Sequence, residues 1–204
     1  MGWHSGAVLS VVLGNFSMAY FRTRPTYNTV LRFYSANFLQ GVRSMAYHGY
    51  MTITGALQGL ISAGCSTQDS IGNKCQAGHR DQIMVLAFDH SLSNLDNVSR
   101  ALHRPVYLTK FIDKSTPLLA QALDSRERVE CDLTFFRTSA AGLQERYYSV
   151  RLGGGLIVQQ NVAMPHAVLL NEQEPQEHLA IRYREISWVH HAAGTTGYST
   201  WGEE

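Results

Sequence analysis

The sequence has few of the features that mark membrane proteins or disulfide-rich secreted domains. Its three cysteines, Cys65, Cys75 and Cys131, are an odd number without CxxC spacing, so neither a disulfide framework nor a zinc site is expected. No stretch reaches the roughly 18 uninterrupted apolar residues of a membrane helix. The short apolar run Ala7–Leu13 follows a segment without lysine or arginine, which is a poor secretory signal. We therefore expect reduced thiols, folding in a cytoplasmic compartment and no signal peptide.

Strong net charge is also missing, but the charges are unevenly distributed. The formal net charge is +1, so no basic field favours nucleic acid. Residues 1–44 contain four arginines and no acidic residue, which leaves 13 basic and 16 acidic residues in 45–204. The break predicts an N-terminal extension over 1–44, disordered or translated from a misassigned start, before a main domain over 45–204. An appended segment with a helix near Asn28–Leu39 is the alternative.

Catalytic motifs are absent as well. There is no G-x-S-x-G element, and Gly153–Gly155 lacks the Lys-Ser/Thr and the helix of a phosphate-binding loop. His190 and His191 are neighbours on a predicted strand, so their side chains point to opposite faces and chelate one metal poorly. Glu130 and Asp132 share a strand face that is expected to be solvated. We predict no catalytic, cofactor or metal site, and no enzyme activity.

What the sequence does contain is repeated alternation of apolar and polar residues, the pattern of half-buried strands. The last predicted strand changes phase between Tyr183 and Ile186, which indicates a bulge near Arg184–Glu185. The Gly- and Thr-rich segment Ala192–Glu204 is predicted to be a tail. Strands are predicted at Tyr47–Thr54, Gln82–Asp89, Pro105–Ile112, Arg128–Arg137, Gln144–Leu152, Leu156–Met164 and Glu177–His190.

One stretch departs from this pattern, Lys110–Ser125, with the sequence KFIDKSTPLLAQALDS. Ser115 and Thr116 are good helix N-caps, and Pro117 suits the first turn. Asp113 is favourably placed for the helix dipole. The apolar residues that follow have helical spacing, so the sequence predicts one short helix packed by one face. Together these features predict an all-β sandwich or barrel with one short α-helix.

The segment Ala56–Arg80 interrupts the strands with a long irregular loop rich in Gly, Ser, Asn and Gln. Loops of this length in compact domains are usually functional or disordered. Leu60, Ile61 and Ile71 are apolar and would otherwise be exposed to water, so we expect the loop to contact a partner.

Four stretches of this sequence resemble the Hcp family, the haemolysin-coregulated tube proteins of bacterial type VI secretion. The resemblance covers about Met45–Trp201, and its most specific part is FIDKSTP at the strand-to-helix junction. The other three are LISAGCSTQDSIGNKCQAGH at 60–79, FDHSLS at 88–93 and ISWVHHAAGTTGYSTW at 186–201.

This resemblance implies a structural protein with two antiparallel sheets closed into a barrel and the helix on its side. It implies homo-hexameric rings that stack into the inner tube of the secretion system, and no cofactor. The implied partners are further rings, contractile sheath proteins, the VgrG spike and small effector proteins carried in the lumen. The protein would be assembled in the cytoplasm and then secreted.

The resemblance also gives two candidate contact surfaces. The loop is assigned to ring stacking, through Ser62, Cys65, Asp69, Ser70, Ile71, Asn73, Lys74 and His79. The helix and its flanking strand are assigned to lateral or sheath-facing contacts, through Asp113, Lys114, Ser115, Thr116, Pro117, Leu118 and Gln121.

Two other functions remain open from sequence. One is a secreted effector. The other is a stand-alone β-sandwich that binds a sugar or peptide, for which Trp188 and Trp201 are the candidate groove residues in the main domain.

Overall fold

Antiparallel strands account for most of the described chain. The computed structural model describes residues 47–95 and 101–201, together with the backbone of 11–13 and 16–18. Contacts divide the chain into two units, Met1–Ser44 and Met45–Glu204. In the first unit, β1 (Val11–Leu13) and β2 (Phe16–Met18) form an antiparallel pair. The alternative helix near Asn28–Leu39 lies outside the described residues, as does most of the predicted extension.

The second unit has eleven described strands, and most of the longer ones follow the predicted alternation because they place one side-chain face in a common interior. The eleven strands are β3 (His48–Gly55), β4 (Gly59–Leu60), β5 (Ile83–Asp89), β6 (Leu92–Ser93), β7 (Leu102–His103), β8 (Val106–Phe111), β9 (Arg128–Thr138), β10 (Gln144–Ala163), β11 (Gln176–Arg182), β12 (Glu185–His190) and β13 (Thr195–Thr200).

Six of these strands close into a barrel. They pair in the order β11, β8, β5, β3, β9, β10, and the second half of β10 then pairs with β11. The first half of β10 pairs with β12, which carries β13 as its outer neighbour. The predicted all-β class is confirmed, and the two predicted sheets are the two sides of one continuous closed sheet.

Strand β10 serves both parts of the sheet because it bends at a glycine run. Gly154 has φ +58, a left-handed conformation that favours glycine. A Cβ at Gly155 would lie 2.9 Å from the carbonyl oxygen of Val129. The pairing of β10 with β9 shifts register between Leu152 and Gly155. The strands predicted separately at Gln144–Leu152 and Leu156–Met164 are therefore one strand that a bulge at these glycines redirects.

The barrel interior is filled by apolar side chains from every strand of the closed ring and from the helix. Cys131 lies among them as a small core residue, and all three cysteines are free. The largest fully buried apolar side chains include Met51, Ile53, Ile83, Leu133, Leu152, Leu179 and Ile181.

The predicted helix α2 spans Thr116–Asp124, after a single-turn helix α1 at Gln68–Ile71. Leu119 and Ala122 are buried against the barrel, with Leu118 and Leu123 packed beside them. The predicted hydroxyl cap is wrong, because the N-cap residue Ser115 makes no side-chain capping bond. None of the described helices is long and apolar enough to cross a membrane.

Three further predictions need correction. The bulge expected near Arg184–Glu185 is a full break, because β11 continues the barrel while β12 pairs with the other half of β10. The predicted C-terminal tail contains β13, since its threonines pair with β12. The apolar residues on both faces of β5 predict that both faces are covered, but Leu86 is 40% exposed, next to a register shift between Val85 and Ala87.

Candidate functional site

The long loop after β3 folds back onto its own barrel. The imidazole of His79 stacks on Tyr50, with ring centroids 3.6 Å apart and an interplanar angle of 6°. The Tyr50 hydroxyl donates a 2.7 Å hydrogen bond to the side chain of Gln76. Burial raises the pKa of this phenol above its usual value, which keeps the donor protonated. These contacts hold the end of the loop against the outer face of β3.

The beginning of the loop enters the core, which corrects part of the sequence-based assignment. Ile61, Ser62 and Cys65 are buried, and the Ser62 hydroxyl accepts a hydrogen bond from the backbone N–H of Ile53. Burial, reinforced by the negative charge of Asp113, raises the pKa of the Cys65 thiol to about 11. Ile61 therefore needs no partner to cover it, and Ser62 and Cys65 face the interior of this subunit rather than a neighbour.

The middle of the loop remains available at the surface. Asp69 and Asn73 are exposed, whereas Ser70, Ile71 and Lys74 are half-buried. The Ser70 hydroxyl accepts a 2.9 Å hydrogen bond from the backbone N–H of Lys114. The loop is thus fixed to the start of the helix, and its exposed side chains are presented on an ordered backbone.

Lys74 connects this loop to a second loop, to which the sequence analysis assigned no function. Its ammonium group lies 2.8 Å from a carboxylate oxygen of Glu174 and 5.0 Å from the centroid of the Phe111 ring. Glu174 belongs to the segment between β10 and β11. The two loops therefore lie side by side.

The second loop displays apolar side chains on a hydrogen-bonded turn. The His166 ring nitrogen Nδ1 accepts from the N–H groups of Val168 and Leu169, and the His166 carbonyl accepts a 2.8 Å bond from Leu170 N–H. Val168 and Leu169 are 78% and 76% exposed, and Met164 is 73% exposed. The signal in the sequence was an AVLL run outside any alternating segment.

The helix junction contains a buried ionic cluster. Lys110 is 1% exposed, and its Nζ lies 2.8 Å from Asp113 Oδ1 and 2.7 Å from Glu177 Oε2. Thr116 donates a 2.5 Å hydrogen bond to Glu177, and Gln160 donates one of 2.7 Å to the same carboxylate. The cluster joins β8, α2, β10 and β11.

This cluster explains why the predicted helix cap is absent. The Ser115 hydroxyl donates to Asp113 Oδ1 at 2.5 Å, and the Ser115 N–H donates to the same oxygen at 2.8 Å. Both candidate capping hydroxyls, those of Ser115 and Thr116, are thus engaged with carboxylates. The FIDKSTP stretch is therefore a structural junction more than a contact surface.

The helix candidates separate accordingly. Asp113 and Ser115 are buried and are corrected to structural roles, and Thr116 and Leu118 are half-buried. The residues that remain at the surface are Lys114, Pro117 and Gln121.

Groups able to bind a metal do not converge in the part of the chain that the structure describes, where no three His, Cys, Asp or Glu side chains cluster suitably. His190 Nδ1 accepts a hydrogen bond from Ala193 N–H, and His191 Nε2 lies 2.9 Å from the Ser149 hydroxyl. The two histidines therefore have separate local partners.

Comparisons with known proteins cover the barrel, the long loop and the helix together. A model of the family described as "Type VI secretion system effector, Hcp" matches residues 50–190. A "Major exported protein" from Pseudomonas aeruginosa is 40% identical over 171 residues, covering 77% of this chain and 96% of that protein.

Solved structures give the same result. The "Secreted protein Hcp3 from Pseudomonas aeruginosa" is 41% identical with a TM-score of 0.69, covering 78% of this chain and 100% of that chain. A structure described as "Crystal structure of Hcp protein" is 32% identical with a TM-score of 0.73 and the same coverage. The chain therefore belongs to the Hcp family of type VI secretion system proteins.

Proposed function

We propose that this chain is a structural subunit of the type VI secretion inner tube and forms hexameric rings that stack. The family of secreted structural proteins to which it belongs supports this proposal. The observation that carries it is the pair of loops joined by Lys74 and Glu174. They form an ordered, partly apolar surface on a barrel that is otherwise closed.

A ring requires a heterologous contact, in which two different patches of the same subunit meet and the rotation closes. The exposed helix residues Lys114, Pro117 and Gln121 supply a candidate patch for lateral or sheath-facing contact. The stacking surface consists of the exposed and half-buried loop residues, extended by the turn over 164–170. Many modest contacts repeated around a ring give a large total affinity.

Further partners follow from the same role. Contractile sheath proteins would surround the tube, the VgrG spike would sit at its end, and small effector proteins would be carried in the lumen. The subunit would be assembled in the cytoplasm and exported without catalysing a reaction or holding a cofactor. Residues 1–44 would be an extension outside the tube domain, because the family match begins at residue 50.

The stacking surface is tested by Asn73→Trp. Asn73 is exposed, so an indole there adds bulk without opening the core. We expect rings that no longer stack, measured by electron microscopy and sedimentation of concentrated protein.

The matched control is Gln121→Trp on the exposed face of the helix. Rings formed by this variant should still stack, because Gln121 belongs to the lateral or sheath-facing patch and not to the stacking surface. Stacks of wild-type length from Asn73→Trp would contradict the assignment of the loop.

A further inference from the structure

Two histidines share one tyrosine hydroxyl at the break between β11 and β12. The Tyr183 hydroxyl oxygen lies 2.6 Å from His90 Nε2 and 2.9 Å from His103 Nδ1. Tyr183 and His103 are buried, and His90 is half-buried. We call these three residues the Tyr183 cluster.

The cluster connects segments that are far apart in sequence. His90 follows β5, His103 lies on β7, and Tyr183 separates the two strands that diverge along β10. On its other side, His103 Nε2 lies 3.2 Å from the Ser199 hydroxyl on β13. The Trp201 ring stacks on His103, with centroids 6.0 Å apart, and its backbone N–H donates to the Arg184 carbonyl.

The segments joined in this way are a separate two-stranded sheet and an edge strand of the main sheet. Strands β6 and β7 pair through two residues each, and β13 pairs with β12 alone among the described strands. Most of β13 is exposed. Segments with few buried contacts open most readily, and the Tyr183 cluster supplies buried contacts to both of these segments.

The number of protons on the two imidazoles decides whether every hydrogen-bonding group of the cluster has a partner. With neutral imidazoles, Ser199 donates to His103 Nε2, His103 Nδ1–H donates to the tyrosine oxygen, and Tyr183 O–H donates to His90 Nε2. The reverse order also satisfies every group, and one added proton on either ring is accommodated. When both rings are protonated, both donate to the same oxygen and the tyrosine proton loses its acceptor.

The surroundings also disfavour a second positive charge. Burial, and then the neighbouring His103, lower the pKa of His90. They outweigh the opposing effect of the Asp89 carboxylate, so the pKa lies below the ordinary 6.5. Burial likewise lowers the pKa of His103 and raises that of Tyr183 to about 12.

Three arginines accompany the cluster in the described part of the chain, and Glu185 on β12 pairs with Thr200 beside Ser199. The Arg182 guanidinium lies 4.8 Å from the centroid of the Trp201 ring. Arg104 and Arg184 directly follow His103 and Tyr183 in the sequence.

We propose that the Tyr183 cluster is an acid-sensitive latch, in which protonation of both His90 and His103 releases the paired strands β6 and β7 and the segment Thr195–Trp201 from the barrel. The open form binds protons more readily than the closed form, so acidification favours opening. The effect begins below the ordinary imidazole pKa of 6.5. With two protons involved, the opening constant rises by up to about a hundredfold per pH unit. This device is independent of the tube assignment.

Hydrogen exchange of the full chain tests the release directly. Rates at about pH 7.5 and about pH 5, corrected for intrinsic exchange, are compared for peptides containing residues 102–103 and 195–201. We expect protection of these peptides to fall by about tenfold or more at the lower pH, while Met51–Ile53 in the barrel stays protected. Equal protection at both pH values would overturn the proposal.

Variants assign the effect to the two imidazoles. Trp188 lies 5.9 Å from His90 and Trp201 lies 6.0 Å from His103 between ring centroids, so tryptophan fluorescence reports on both. The double variant His90→Gln with His103→Gln should lose the reversible fluorescence change between about pH 7.5 and about pH 5. The control His178→Gln, at an exposed imidazole that bonds Thr109, should retain it.

A full fluorescence transition in the double variant would refute the assignment to these histidines. If the double variant does not fold, the wild-type exchange experiment still decides whether the segments are released.

Discussion

Glu127 shows at the residue scale how one buried carboxylate fixes the start of the long loop. It is buried, and its Oε1 accepts hydrogen bonds from the backbone N–H groups of Leu57 and Gln58. Its Oε2 accepts a third from the Gln58 side chain, which also donates to the Leu118 carbonyl. Burial alone would raise the pKa of Glu127, but the bonds from Gln58 and Leu57 outweigh it and the net pKa is lowered.

We predict that Glu127→Gln lowers the free energy of unfolding at neutral pH by about 1–3 kcal/mol, since an ionised acceptor of three hydrogen bonds is lost. A carboxyl with a lowered folded-state pKa stabilises the fold above its ordinary pKa of 4.5 and loses that contribution as the pH falls below it. The difference between variant and wild type should therefore shrink below about pH 4.5. Urea unfolding across pH measures it.

The exposed Glu172→Gln is the control and should follow the wild type. A Glu127→Gln variant equal to wild type at neutral pH would contradict the role of this carboxylate.

At the scale of elements, the ionic cluster around Lys110 attaches the start of α2 to the barrel. Four oxygen atoms, from Phe111, Asp113, Thr116 and Glu177, lie within 3.2 Å of its ammonium nitrogen. The cluster is shielded from water, so removing its cation leaves carboxylates without a counter-charge.

We predict that Lys110→Met destabilises the protein by about 3–5 kcal/mol, because two buried carboxylates lose their partner. Lys74→Met, which removes a partly exposed pair with Glu174, should cost no more than about 1 kcal/mol. Thermal or urea unfolding of both variants provides the comparison. Equal losses of unfolding free energy in the two variants would show that burial of the ion pairs around Lys110 does not increase their contribution to stability.

Elements with a strong local pattern were predictable from the sequence. The alternation of Val129, Cys131 and Leu133 predicted β9, and Pro117 with the apolar face that follows it predicted α2. The N-cap of α2 was predicted wrongly for a different reason. The Thr116 hydroxyl is taken by Glu177, a residue 61 positions away that no local pattern reveals.

The candidate surfaces show the same limit. Ile61 and Cys65 lie in a segment without periodicity, so only the folded chain reveals that they complete the core. The exposed turn at Val168 and Leu169 was overlooked because three apolar residues in a row suggested no period. The β13 strand forms from threonines and glycines because β12 provides a partner edge.

At the scale of the whole molecule, the tube domain should be self-sufficient. Residues 45–204 form their own unit. The two solved structures match over their whole length, and the match takes in 78% of this chain. We predict that a version beginning at Met45 folds and forms the same rings as the full chain. Electron microscopy of both versions side by side checks this, and loss of rings only in the shorter version would assign residues 1–44 a role in assembly.

The central claim is that the molecule acts by self-assembly, and the mass of its assemblies tests this most directly. Light scattering coupled to size exclusion, run on the full chain over a range of concentrations, should give the mass of a closed hexamer, with stacks at higher concentration. A mass equal to one subunit at every concentration would contradict the account.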